Sequence, residues 1–191
     1  MNRPIITIEM VNRQRIQIEL YPDKAPNSVN GLLWSLFKDS YDNMRIARIV
    51  PGFVLQPWYD ESQMGLDYQY LIEGEFAANG YPHNNLPFEK YAVGLAGDGA
   101  SISSPSSFFI VVGDDCQERL NQKFACIGYV ISGFSEIERL VSVPLRKVES
   151  GVAGVSINEP LQDEVISHIS IELNGYEYQG PIQFLPQNLK K

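Results

Sequence analysis

Arg48-Ile49-Val50-Pro51-Gly52-Phe53-Val54-Leu55-Gln56 sets two β-branched runs on either side of a Pro-Gly pair. That order of residues dictates a strand, a tight turn and a returning strand. The two apolar runs carry an arginine at one end and a glutamine at the other. Arginine stays protonated in proteins, so leaving it in an apolar run is costly unless it has a task.

The rest of the chain repeats the short-strand theme. Ile6, Ile8 and Met10 alternate, as do Ile16, Ile18 and Leu20, with Asn12-Arg13 between them, which predicts a hairpin with one buried face. Tyr21-Pro22-Asp23-Lys24-Ala25-Pro26 breaks the strand, and Pro26 suits a helix start, where a missing N–H costs nothing. Val29, Leu32, Leu33, Leu36 and Phe37 then follow at helical spacing, a core stripe of about three turns. Residues 58–90 are poor in periodicity and rich in Gly, Pro, Asn and acids, so they read as a long loop. Tyr91–Ala96, Phe108–Val112, Ala125–Ile131 and the alternating Ile169, Ile171 and Leu173 read as strands, and Phe134–Val141 as a second short helix. Residues 174–191 form a polar and aromatic extension after a domain spanning 1–173. Many short strands with two helices predict a mainly β fold, a closed antiparallel barrel capped at its ends, since closure removes sheet edges.

Bulk properties exclude several functions. A chain of 191 residues with 44% hydrophobic content is one domain with a single core. Its formal net charge of −8 repels phosphate backbones and anionic lipid, so neither nucleic acid nor a membrane surface is an expected partner. Two cysteines, Cys116 and Cys126, make no disulfide framework, and with two histidines they offer no zinc spacing. No metal or cofactor is expected. Met1-Asn2-Arg3-Pro4 leads straight into a strand and no apolar run reaches membrane-spanning length, so the expected location is cytoplasmic.

The nonapeptide from Arg48 to Gln56 resembles the central motif of the cyclophilins, the peptidyl-prolyl cis-trans isomerases. The resemblance runs from about Ile5 to Leu173 and implies an eight-stranded antiparallel barrel with a helix over each opening. It also includes Glu19 to Pro26, Glu75-Phe76, Val93 to Gly97, Ser107 to Ile110, and Glu159-Pro160. It implies Arg48 as the catalytic arginine and Gln56 as the pocket glutamine. It places Phe53, Val54, Phe109, Leu120 and Phe124 around the proline ring, and Ala96, Gly97, Ser107 and Arg119 beside the bound peptide. This chain departs from the family at several of these positions. Ala47 replaces a histidine, Ser107 a glutamine, Gly97 an asparagine, Arg119 a tryptophan and Phe124 a histidine, while Pro57-Trp58-Tyr59 replaces Gly-Gly-Asp.

The chemistry implied needs no nucleophile, metal or cofactor, because no bond is broken. Rotation about an X-Pro bond must cross a barrier of about 18–20 kcal/mol set by amide resonance. An apolar socket can grip the ring while the preceding carbonyl swings. A donor aimed at the proline nitrogen can hold its lone pair as resonance is lost, which favours the twisted state over the planar one. Arg48 is the expected donor, Gln56 is expected to orient Arg48 or to bond a substrate carbonyl, and Gly97 is a backbone contact for an extended peptide. The expected partners are proline-containing peptides or unfolded chains, and the expected state is a monomer. Two other readings differ in class. One is a weakly active or inactive module of the same fold that only binds proline-containing peptides. The other is a barrel carrying a small apolar ligand, which the bulky alternation disfavours because small barrels fill with side chains.

Overall fold

A computed structural model describes residues 2–57, 70–149 and 156–184. Trp58, Tyr59 and the first part of the expected 58–90 loop lie outside the described residues. The first hairpin forms as the alternation requires. β1 (Ile5–Met10) pairs antiparallel with β2 (Arg15–Leu20), Ile6 opposite Ile18 and Ile8 opposite Ile16, all four buried. Arg13 takes a left-handed φ of 70° in the turn.

α1 (Pro26–Leu36) begins on its proline and buries Val29, Leu32, Leu33 and Leu36. Ala25 has no side chain with which to cap the helix. The Glu75 carboxylate does it from far along the chain, accepting from the Asn27 N–H at 3.1 Å and the Ser28 N–H at 2.7 Å. Those are two of the four orphan donors at a helix start, and a negative charge there also suits the helix dipole.

Six more strands follow: β3 (Arg48–Val50), β4 (Val54–Gln56), β5 (Ile72–Glu73), β6 (Ala92–Gly97), β7 (Ile102–Val111) and β8 (Cys126–Ser132). A one-turn helix, α2 (Gln117–Leu120), lies between β7 and β8, and α3 (Phe134–Val141) follows β8. β9 (Leu145–Glu149) and β10 (Ser156–Pro160) make a separate hairpin, and β11 (Ile166–Glu172) ends the sheet. The curled antiparallel sheet has the order β11-β1-β2-β8-β6-β7-β4-β3, with β5 added beside β7. Its outer strands meet through a short bridge rather than a ladder. Arg45 faces Val165, the Ile46 N–H donates to Glu164 O at 2.7 Å, and the Ile166 N–H donates to Met44 O at 2.8 Å. Closure is therefore narrower than the fully closed barrel that the sequence predicts, while the mainly β, eight-stranded architecture stands.

α1 packs on β5, β7 and β11, and α3 on β2 and β3. Arg139 ties α3 to the segment before β11. It donates to Glu136, whose side chain is buried, and to Glu164, with contacts of 2.6–2.9 Å. The interior is filled by Ile6, Ile18, Leu32, Leu33, Ile49, Leu95, Phe108, Ile110 and Ile127, each fully buried. That filling argues against an internal cargo.

The described part of the extension lies along α1. Tyr176 Oη donates to Asn30 Oδ1 at 2.9 Å, and Asn27 exchanges two hydrogen bonds with the backbone of Ile182. Tyr178 meets Phe37 edge-on, and Phe184 bridges to Leu71. Among the described residues no helix is long and apolar enough to cross a membrane.

Candidate functional site

Strand parity builds the site. Successive side chains of a strand point to opposite faces, so each strand that feeds the interior also feeds the outside. In β3 and β4, Ile49 and Leu55 enter the main core. Arg48, Val50, Val54 and Gln56 therefore face the other way. In β7, Phe108 and Ile110 go inward while Ser107, Phe109 and Val111 go outward; in β6, Val93 and Leu95 go inward while Ala92, Gly94 and Ala96 go outward. The outward set makes a second, smaller cluster of Val54, Phe88, Ala92, Phe109, Val111, Cys116, Leu120 and Cys126, with Phe53 and Phe124 packed at its border.

Arg48 and Gln56 stand directly opposite each other in the β3–β4 ladder. The turn between them closes through Phe53 N–H to Val50 O at 2.9 Å, with Gly52 at φ +74°, a conformation natural to glycine. Gln56 Nε2 donates to Ser107 Oγ at 2.9 Å, which turns the amide oxygen toward Arg48 Nη1 at 3.3 Å. Gln56 and Ser107 are buried and Arg48 is half-buried. The result is a guanidinium held by a buried relay at the edge of an apolar cluster. Ala47, where the family has histidine, is buried and donates its N–H to Pro57 O at 3.0 Å.

The aromatic floor is Phe109. It stacks on Phe88 with ring centroids 5.7 Å apart and meets Phe124 edge-on at 6.0 Å. Gly94 sits opposite Phe109 in the ladder, and a Cβ there would come within 2.6 Å of both the Phe109 and Phe88 rings. Leu120 and Val54 are almost fully buried beside it, whereas Phe53 and Phe124 keep partial exposure. Arg119 lies over the Phe53 ring, its guanidinium carbon 3.7 Å from the centroid.

Ala96 and Gly97 run past the end of the β6–β8 ladder, beyond the bond of Leu95 N–H to the O of Ala125, just before β8, at 3.1 Å. They lie at the accessible end of the β6 edge, half-buried and exposed respectively. Gly97 has no room for another side chain here, since a Cβ would collide with the Ile102 carbonyl oxygen. The turn that follows is held by Asp98. Its Oδ1 accepts from the N–H groups of Ala100, Ser101 and Ile102 at 2.8–3.0 Å, and Oδ2 accepts from the Ser101 hydroxyl. Desolvation pushes the exposed Asp98 carboxyl up, but the three N–H donors and the hydroxyl together outweigh it and hold the group well below the usual carboxylate range. A depressed carboxylate contributes stability above its unfolded pKa of about 3.9 and loses it as pH falls through the lower folded value. The gap in urea midpoint between the wild type and Asp98→Asn is therefore expected to be widest near neutrality and to shrink steadily toward about pH 2. A gap constant across that range would show that the carboxylate charge does not hold the turn.

Nine of the eleven residues expected from the sequence come together on one outer face, Arg48, Gln56, Phe53, Val54, Ser107, Phe109, Arg119, Leu120 and Phe124, while Ala96 and Gly97 lie at the end of β6 with no contact among the described residues that joins them to the cluster. Phe88 and Cys116 join the cluster without having been expected. Phe88 fell inside the presumed loop, which is anchored by Tyr129 Oη donating to Pro87 O at 2.8 Å and by the buried Asn84, bonded to Glu75 O and Cys126 O. Pro87 in a polar surrounding hid that packing role.

Two other features lie apart from this set. A cavity of about 650 Å³ at the start of α1 is lined by Asn27, Glu73, Glu75, Tyr81 and Ile182, among others, and by none of the eleven. Among the described residues, Asp39, Asp42 and His168 bring three potential metal-ligand atoms within 4.8 Å, but all three are exposed.

Residues 5–170 match the model of the family described as cyclophilin type peptidyl-prolyl cis-trans isomerase/CLD. A peptidyl-prolyl cis-trans isomerase of Acinetobacter baylyi is 27% identical over 169 residues, 86% of this chain and 85% of that protein. A probable peptidyl-prolyl cis-trans isomerase of Brucella suis is 26% identical over 133 residues, so the match spans 65% of that relative's length. Among solved structures, a cyclophilin type peptidyl-prolyl cis-trans isomerase of Cryptosporidium parvum superposes with a TM-score of 0.69 at 20% identity, covering 89% of this chain and 98% of that one. A second structure of that type from the same organism, obtained in the presence of the dipeptide Ala-Pro, gives 0.68 at 20% identity and covers 88% and 98%. At such identity these likenesses speak for the fold.

Proposed function

The chain belongs to the cyclophilin-type peptidyl-prolyl cis-trans isomerase family, and from that premise we propose that it catalyses cis-trans isomerisation of X-Pro bonds in exposed or unfolded segments, assisting protein folding. The observation that carries the proposal is the Arg48–Gln56–Ser107 relay beside the Phe109 cluster. Arg48 donates to the prolyl nitrogen as it loses amide resonance, and Gln56 holds the guanidinium in line. Phe53, Val54, Phe109, Leu120 and Phe124 grip the ring. The Ala96-Gly97 edge bonds the extended peptide, and Ser107 acts through Gln56. A guanidinium already bonded to a buried amide needs little reorganisation as the transition state forms, which is where electrostatic catalysis gains most.

The same reading takes residues 1–173 as the catalytic domain and 174–191 as a C-terminal extension, whose described part lies along α1. It takes the protein as a cytoplasmic monomer that uses no metal or cofactor and binds neither nucleic acid nor membrane.

One observation favours slower turnover. Val54, Phe109 and Leu120 are each no more than 5% exposed, so the floor offers little surface until its border opens. A module that binds proline-containing peptides with little acceleration is the second reading. Exchange NMR on a short X-Pro peptide separates the two. Wild-type protein at substoichiometric concentration is expected to bring the cis and trans resonances into exchange. Shift perturbation of the protein without exchange enhancement of the peptide would leave the binding module standing instead.

A further inference from the structure

We propose that Arg119 makes the site selective for peptides with a carboxylate side chain next to the proline; this rests on the site reading above. The argument starts from where the charge sits. Arg119 is exposed on α2, yet its guanidinium stacks on Phe53, a ring at the border of the socket. Stacking on an aromatic face fixes a guanidinium through its plane and leaves its in-plane N–H donors free to point outward. Among the described residues no carboxylate lies within 4.0 Å of Arg119 in an ion pair. The acidic side chains nearest in the sequence, Asp114, Asp115 and Glu118, form no such pair with it. The other guanidinium of the site, Arg48, is engaged with Gln56. Arg119 is therefore a permanent cation, held at the rim, with donors to offer a passing anion.

The net charge of −8 opposes anionic ligands at long range. That opposition is diffuse and is screened over about 8 Å at physiological salt. A contact with a stacked guanidinium acts within hydrogen-bond distance and is charge-assisted. The local effect therefore decides among peptides that have reached the socket, while the global charge slows the approach of all anionic ones. A tryptophan, as the family carries at this position, offers one neutral donor and no charge to select with.

The test uses the whole chain and three peptides that differ at one residue, Glu, Gln or Lys, placed in one series before the proline and in another after it. Exchange NMR gives kcat/KM, and titration of backbone amide shifts gives affinity. The wild type is expected to favour Glu over Gln by about 2–5-fold in at least one series, the range of a partly exposed ion pair, and to disfavour Lys. Arg119→Gln should bring the Glu/Gln ratio to about one whatever happens to the absolute rate, and Arg119→Lys should restore part of it. Raising the salt to about 0.5 M should compress the ratio in the wild type. A wild-type ratio of one in both series, or a ratio that survives Arg119→Gln, overturns the selector. The affinity titration keeps the two proposals apart: a protein that accelerates no peptide but binds the Glu member more tightly loses the isomerase reading and keeps the selector.

Discussion

Arg48→Ala is expected to lower kcat/KM for a proline peptide by about 10²–10³-fold, the usual cost of removing one preorganised donor from a developing charge. Arg48 is half-buried at the end of a three-residue strand, and its main core neighbour Ile49 points the other way. Stability should fall by about 1–3 kcal/mol, because the buried Gln56 amide oxygen loses its Arg48 donor. Affinity for the planar ground state should change far less than the rate, since the lone pair needing a donor exists only in the twisted state. Arg48→Lys tests geometry against charge. A lysine keeps the charge but lacks the planar fork that can bond Gln56 and a substrate atom together. It should recover only a small part of the loss. Exchange NMR with the wild type, Arg48→Ala and Arg48→Lys reads all three, and an alanine variant as fast as the wild type would remove Arg48 from the mechanism.

Legibility of the fold followed the alternation of apolar residues. β1, β2 and α3 were readable because each puts one clear face into the core, and β8 because it is an unbroken apolar run buried on both faces at its start. The β9–β10 hairpin escaped because β9 buries no residue fully, so Leu145-Arg146-Lys147-Val148 carries no inward face. β5 has two residues and α2 four, both too short for any period to register. The cap on α1 was invisible for a different reason. Its carboxylate, Glu75, lies some fifty residues from the helix it caps, and only tertiary structure joins them.

The site was legible through one fact about strands. Ile49 and Leu55 between Arg48 and Gln56 fix the parity, so the polar pair must share the face that the core does not take. That argument brings Arg48 and Gln56 together without the family pattern. It does not reach Ser107 as the third member of the relay, because β4 and β7 register only through Val54–Val111 and Leu55–Ile110. Nor does it reach Phe88, which enters the cluster from a segment with no strand period. Two departures from the family pattern acquire physical reasons. Ser107 replaces a long amide by a short hydroxyl yet still orients Gln56, and Gly97 sits where any Cβ would strike the Ile102 carbonyl.

Phe109→Ala should have the second large effect, this time on stability and binding together. The ring is 5% exposed and lies between Phe88, Phe124 and the backbone of Gly94. Removing a buried aromatic side chain costs about 3–5 kcal/mol, the transfer of the ring plus the cavity left behind. A domain of this size has roughly 5–15 kcal/mol in hand, so the variant should remain folded but with a urea midpoint far below the wild type. Its affinity for proline peptides should fall as well, because the floor of the socket is gone. Phe88→Ala separates the two roles. Phe88 is 1% exposed and stacks on Phe109, so its loss should cost comparable stability while leaving in place the ring proposed to meet substrate. The expected pattern is two variants alike in urea and unlike in peptide titration, with Phe109→Ala the weaker binder. Equal losses of affinity would mean that the aromatic pair acts as one unit and that the socket has no separable floor.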